Sequence, residues 1–111
     1  MKDLNELKKE FEDEILFYAL NNIKEEVSLI YQEFGLDPES AMNCLQFLII
    51  SSNKGQWLEV IDWATTLAQN TIFDLLENGI DIEVMNTLMS NLLKMIEIAT
   101  KKQCRIWEVS E

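Results

Sequence analysis

Histidine is absent from the 111 residues, which removes the commonest general base and the commonest imidazole metal ligand. Hydrolysis by an imidazole-assisted serine or cysteine is excluded. So is the di-iron bundle pattern that sets glutamates against Glu-x-x-His motifs. One proline and three glycines punctuate the chain while 48% of it is hydrophobic, a balance that builds a packed globule rather than a disordered segment. There are only two cysteines, Cys44 in an apolar run and Cys104 near the C-terminus. Their placement makes neither a disulfide framework nor a metal-site spacing, so two free thiols are expected. The apolar runs Phe47 to Ile50 and Ile15 to Leu20 both fall far short of the ~20 residues a membrane span needs. Met1 to Glu10 carry charges of both signs and no secretory-leader pattern, which makes the cytoplasm the default expectation.

Positive charge is also scarce. Nine Lys and Arg stand against twenty Asp and Glu, a net charge of -11. Such a chain repels phosphate backbones, so direct binding of nucleic acid is not expected. The same field attracts a basic protein and makes the encounter salt-sensitive. It is unevenly spread: residues 1 to 40 hold eleven acids and four bases, a net of -7, whereas residues 81 to 111 hold five acids and four bases, a net of -1.

The length suits one domain, 1 to 111, and helix-stop signals at Gly35 to Pro38, Ser51 to Gly55 and Asn78 to Asp81 divide it into four blocks. The first, Asp3 to Phe34, carries Leu4, Leu7, Phe11, Ile15, Tyr18, Ile23, Val27, Ile30 and Phe34 at mostly helical spacing. As one rod it would be about 45 Å long, so a kink or break is expected at Asn21 and Asn22. The second opens on Asp37-Pro38-Glu39, a good capping sequence. It is apolar nearly all round from Ala41 to Ile50, as a central helix would be. The third, Gln56 to Glu77, places Trp57, Val60, Ile61, Ala64, Leu67, Ala68, Ile72 and Leu75 on one face and stops at Asn78-Gly79. The fourth opens at Asp81 with Met85, Leu88, Met89, Leu92, Ile96 and Ala99 on its stripe. Cys104 to Val109 forms a docked tail, a short strand or a helix extension, with Trp107 expected to pin it. The expected fold is all-α, an antiparallel bundle of four or five helices.

An enzyme built from this chain would rely on carboxylates, and two patterns offer them: Glu10-x-x-Asp13 with Glu14, and Glu59-x-x-Asp62. In this one respect the chain resembles the all-helical nucleotide pyrophosphohydrolases of the MazG type. The resemblance implies magnesium and a nucleotide held between two such faces. No motif in the sequence itself calls for a cofactor or a metal.

The first block is the most informative. At ~100° per residue Asp3, Glu6, Glu10, Asp13 and Glu14 share one side, Phe17 falls among them, and Ile15 to Leu20 is apolar all round. Phe17 is therefore either covered by the fourth helix or the tail, or an aromatic anchor ringed by carboxylates. Trp57 reads as core and Trp63 as lying off the main stripe. Met85, Met89 and Met95 either fill core gaps or line a Met-rich groove. The leading expectation is an acidic protein-binding module that neutralises or escorts a basic macromolecule through Glu6, Glu10, Asp13, Glu14 and Phe17. Immunity proteins, antitoxins, phage inhibitors and secretion chaperones fit that description. The alternative is a homo-oligomeric adaptor, a homodimer formed through Ile15 to Leu20; the third reading is the metal-dependent nucleotide hydrolase.

Overall fold

The computed structural model describes residues 2 to 110. Among them lie four α-helices and one 3-10 turn, with no strand: α1 (Leu4–Glu33), α2 (Glu39–Asn53), α3 (Trp57–Glu77), the turn Ile82–Met85, and α4 (Asn86–Ser110). The sequence starts and stops each element in physically recognisable ways. The Asp3 carboxylate accepts the Glu6 N–H at 2.9 Å and so caps α1. Ahead of α2, whose N-cap Pro38 supplies no side-chain cap, the Asp37 carboxylate accepts the Glu39 N–H at 3.1 Å. Asp81 accepts the Glu83 N–H at 3.0 Å and opens the 3-10 turn.

The three inter-helix connections begin with the same motif. The N–H groups of Leu36, Gln56 and Ile80 reach back to the carbonyls of Tyr31, Ser51 and Leu75, which is the six-to-one bond of a Schellman stop. The motif needs a left-handed residue after the cap, and Gly79 supplies it at φ 69° beyond Leu76–Asn78. Leu36 and Ile80 then fold back against the core.

Side-chain pairings set the direction of each helix. Glu12 meets Arg105, Asp13 meets Lys102 and Glu26 meets Asn91, so numbers rise on α1 as they fall on α4 and the two are antiparallel. Phe47 on Trp63 and Ser51 on Glu59 give the same relation for α2 and α3. Trp57, the first residue of α3, lies against Lys102 near the end of α4. The result is an antiparallel bundle in which α1 packs mainly on α4, α4 on α3 and α3 on α2, with little contact between α1 and α2. The core is a single cluster that includes Ile23, Val27, Leu48, Val60, Leu67, Leu75, Leu88, Leu92 and Met95. Burying one such side chain fully contributes about 1.5–3 kcal/mol.

Several expectations need correcting. α1 is one unbroken helix of 30 residues with Asn21 and Asn22 exposed on it, so no kink forms there. Its buried seam is Leu16, Ala19, Ile23, Val27 and Ile30. Leu4, Leu7, Phe11 and Tyr18 are 66, 51, 63 and 59% exposed. The step from Tyr18 to Ile23 is five residues, a net rotation of about 140° at 3.6 residues per turn. An unbroken helix therefore puts the first stripe on the far side from the second. The end of the chain is a continuation of α4 through Ser110, and Trp107 is exposed rather than pinning it. Met85 and Met95 are buried and Met89 packs against the core, so these methionines fill space and form no groove. Both cysteines are free, Cys44 buried and Cys104 exposed, and burial pushes the Cys44 thiol above its ordinary pKa. No helix is long and apolar enough to cross a membrane among the described residues.

Candidate functional site: the acidic face of the first helix

Because α1 is continuous, Glu6, Glu10, Asp13, Glu14 and Phe17 do lie along one side of it, and all five are exposed. Phe17 is 63% exposed and touches Tyr18 edge to face, with ring centroids 5.6 Å apart. Neither α4 nor the end of the chain covers it. Its neighbours in the expected apolar patch behave differently: Leu16 and Ala19 are buried, and Ile15 and Leu20 are half-buried against the core. Ile15 to Leu20 is thus mostly core, with Phe17 and Tyr18 as its exposed remainder.

The carboxylates divide into two kinds. Asp13 accepts from Lys102 Nζ at 2.7 Å, and the Lys102 side chain is only 8% exposed. That ammonium also lies 5.3 Å from the centroid of the Trp57 ring, within cation–π range. Asp13 therefore compensates a buried charge and helps to hold α1 on α4. Glu10 pairs with Lys2. Glu6 and Glu14 form no ion pair among the described residues. Of the predicted site, Glu6 and Glu14 thus have charge left to offer, with Phe17 as the exposed aromatic beside them.

Sequence reasoning overlooked Glu12, Arg105 and Lys102. The Arg105 guanidinium hydrogen-bonds both oxygens of Glu12, and that hydrogen bond is the main reason its pKa is raised. A signal for Lys102 was present: Leu88, Leu92, Met95, Ala99 and Lys102 follow one another at four, three, four and three residues, which puts the lysine on the buried stripe.

Two further polar groups fix the other end of α1. The Tyr31 hydroxyl donates to the Asp74 carboxylate on α3, and burial foremost, then that hydrogen bond, raises its pKa. Glu26 accepts from Asn91 Nδ2 at 3.0 Å, its other oxygen is buried without a partner, and burial raises its pKa.

On the α2–α3 side, Phe47, Glu59, Asp62, Trp63 and Thr66 line a cavity of about 440 Å³. Past the start of α3, Lys9, Trp57, Lys102, Arg105, Ile106 and Val109 line another of about 510 Å³. No group of three or more Cys, Asp or Glu side chains is placed to hold a metal ion among the described residues, so the acidic pairs of α1 and α3 do not converge. A comparison of the chain with protein families, with curated proteins and with solved structures finds no match.

Proposed function

We propose that this protein is an acidic helical binding module that neutralises or escorts a basic macromolecule in the cytoplasm, using the face of α1 that carries Glu6, Glu14 and Phe17. The observation that supports it is Phe17, a large aromatic left 63% exposed on the helix face that also carries Glu6 and Glu14, which form no ion pair among the described residues. A ring presented this way enters a partner's pocket with little loss of conformational entropy, and the carboxylates steer the approach of a positive surface. The test is capture from native lysate at low and high salt. Phe17→Asp and the pair Glu6→Lys with Glu14→Lys should each release a basic protein that the parent retains, without changing the melting temperature. Retention by both variants would sink the assignment. Asp13 is a poor test position, because changing it strips the partner from Lys102.

A second reading is favoured by the outer stripe Leu4, Leu7, Phe11 and Tyr18, whose three- and four-residue steps with one position skipped suit pairing with the same stripe of a second copy. Sedimentation at twice 13.0 kDa, unchanged by salt and lost in Phe11→Asp, would place it first.

A further inference from the structure

We propose that the groove between α2 and α3 is a receptor for an arginine side chain. Glu59, Asp62, Trp63 and Thr66 stand at i, i+3, i+4 and i+7, so one face of α3 presents all four. Across the groove Phe47 of α2 stacks on Trp63, ring centroids 4.7 Å apart and planes 16° from parallel. The pair lines the cavity with the two carboxylates, and Phe47 remains 48% exposed.

Two carboxylates on a helix are a common surface feature. What sets these apart is the ring stack beside them and the way one of them is held. The Ser51 hydroxyl, on a residue only 3% exposed, makes a long hydrogen bond of 3.4 Å to Glu59 Oε2, which keeps that carboxylate on the groove side of α3. No Lys or Arg of this chain pairs with Glu59 or Asp62 among the described residues. A planar cation that lies on an aromatic face while its edge donates to carboxylates satisfies both halves of the groove. Guanidinium does this better than ammonium, because it is flat, weakly hydrated and forked. The inference rests on the basic-partner reading only for the source of the arginine; the chemistry of the ligand comes from the groove.

The experiment is a titration with the blocked tripeptide Gly-Arg-Gly, followed by Trp63 fluorescence in a Trp57→Phe, Trp107→Phe background. Should that background fail to fold, the Trp63 indole N–H resonance of the parent protein reports the same titration. A saturable change is expected, with a midpoint raised about fivefold or more by Glu59→Gln with Asp62→Asn and a weaker response to Gly-Lys-Gly. No saturation, the same midpoint in the double variant, or equal binding of the lysine peptide would overturn the proposal. The two readings fail separately. A flat titration beside salt-sensitive capture removes this groove and leaves the α1 face standing, whereas a saturable titration without capture does the reverse.

Discussion

The two halves of α1 carry similar apolar spacing and meet opposite fates. Ile23, Val27 and Ile30 are buried, whereas Leu4, Leu7, Phe11 and Tyr18 are in solvent and Leu16 and Ala19 carry the packing of the first half. Periodicity shows that a helix is two-faced. Which face meets the core depends on phase, and phase is carried along the rod from wherever the helix is anchored. Here the anchor is the C-terminal half, where Tyr31 and Glu26 reach α3 and α4.

Substitutions can break that comparison. The largest contrast is expected between Ile23→Ala, which should cost about 3 kcal/mol in denaturant unfolding through the cavity it leaves, and Phe11→Ala, which should stay within about 0.5 kcal/mol. Equal losses would mean that Phe11 is packed in solution. Next comes the charge contrast. Asp13→Ala should cost about 2 kcal/mol by leaving the Lys102 ammonium buried without its carboxylate, whereas Glu10→Ala, in an exposed pair with Lys2, should cost under about 0.5 kcal/mol. Tyr31→Phe should cost about 1 kcal/mol by removing the hydrogen bond to Asp74, and a neutral result would move the anchor elsewhere.

The smallest effect is one of pH. Glu26 holds its proton more tightly folded than unfolded, so its contribution is fully present below the unfolded value near 4.5 and is lost as pH rises through the raised one. Glu26→Gln should therefore melt higher than the parent at neutral pH, with the difference closing in acid. A constant difference across that range would rule out titration of Glu26 as its cause.

The helices themselves were legible in the sequence. Asp3, Asp37 and Asp81 at the starts and the glycines at the stops are local signals, and local signals survive folding unchanged. The break at Asn21 and Asn22 was inferred from the length of a single rod, and it falls within the five-residue step from Tyr18 to Ile23 that displaces the stripe. The chain resolves that step by leaving apolar groups in water rather than by bending. The side of α1 bearing Glu6, Glu10, Asp13, Glu14 and Phe17 was also legible, because it follows from angle alone. That Asp13 serves Lys102 was not, since the pairing spans eighty-nine positions and depends on how two helices align. Phe47 was hidden for the same reason: its partner Trp63 sits on another helix, and no spacing within α2 announces it.

The pairing of α1 with α4 also has a consequence in time. α2 and α3 are neighbours joined by a tight connection and can close as a hairpin early, in the manner of other local contacts. α1 is made first, yet its main partner is the last of the four helices to leave the ribosome. At ordinary rates of synthesis the intervening stretch takes roughly 3–10 s. For that interval both apolar sides of α1 are bare, which makes the nascent chain, rather than the finished bundle, the form most exposed to chaperones and to other copies of itself.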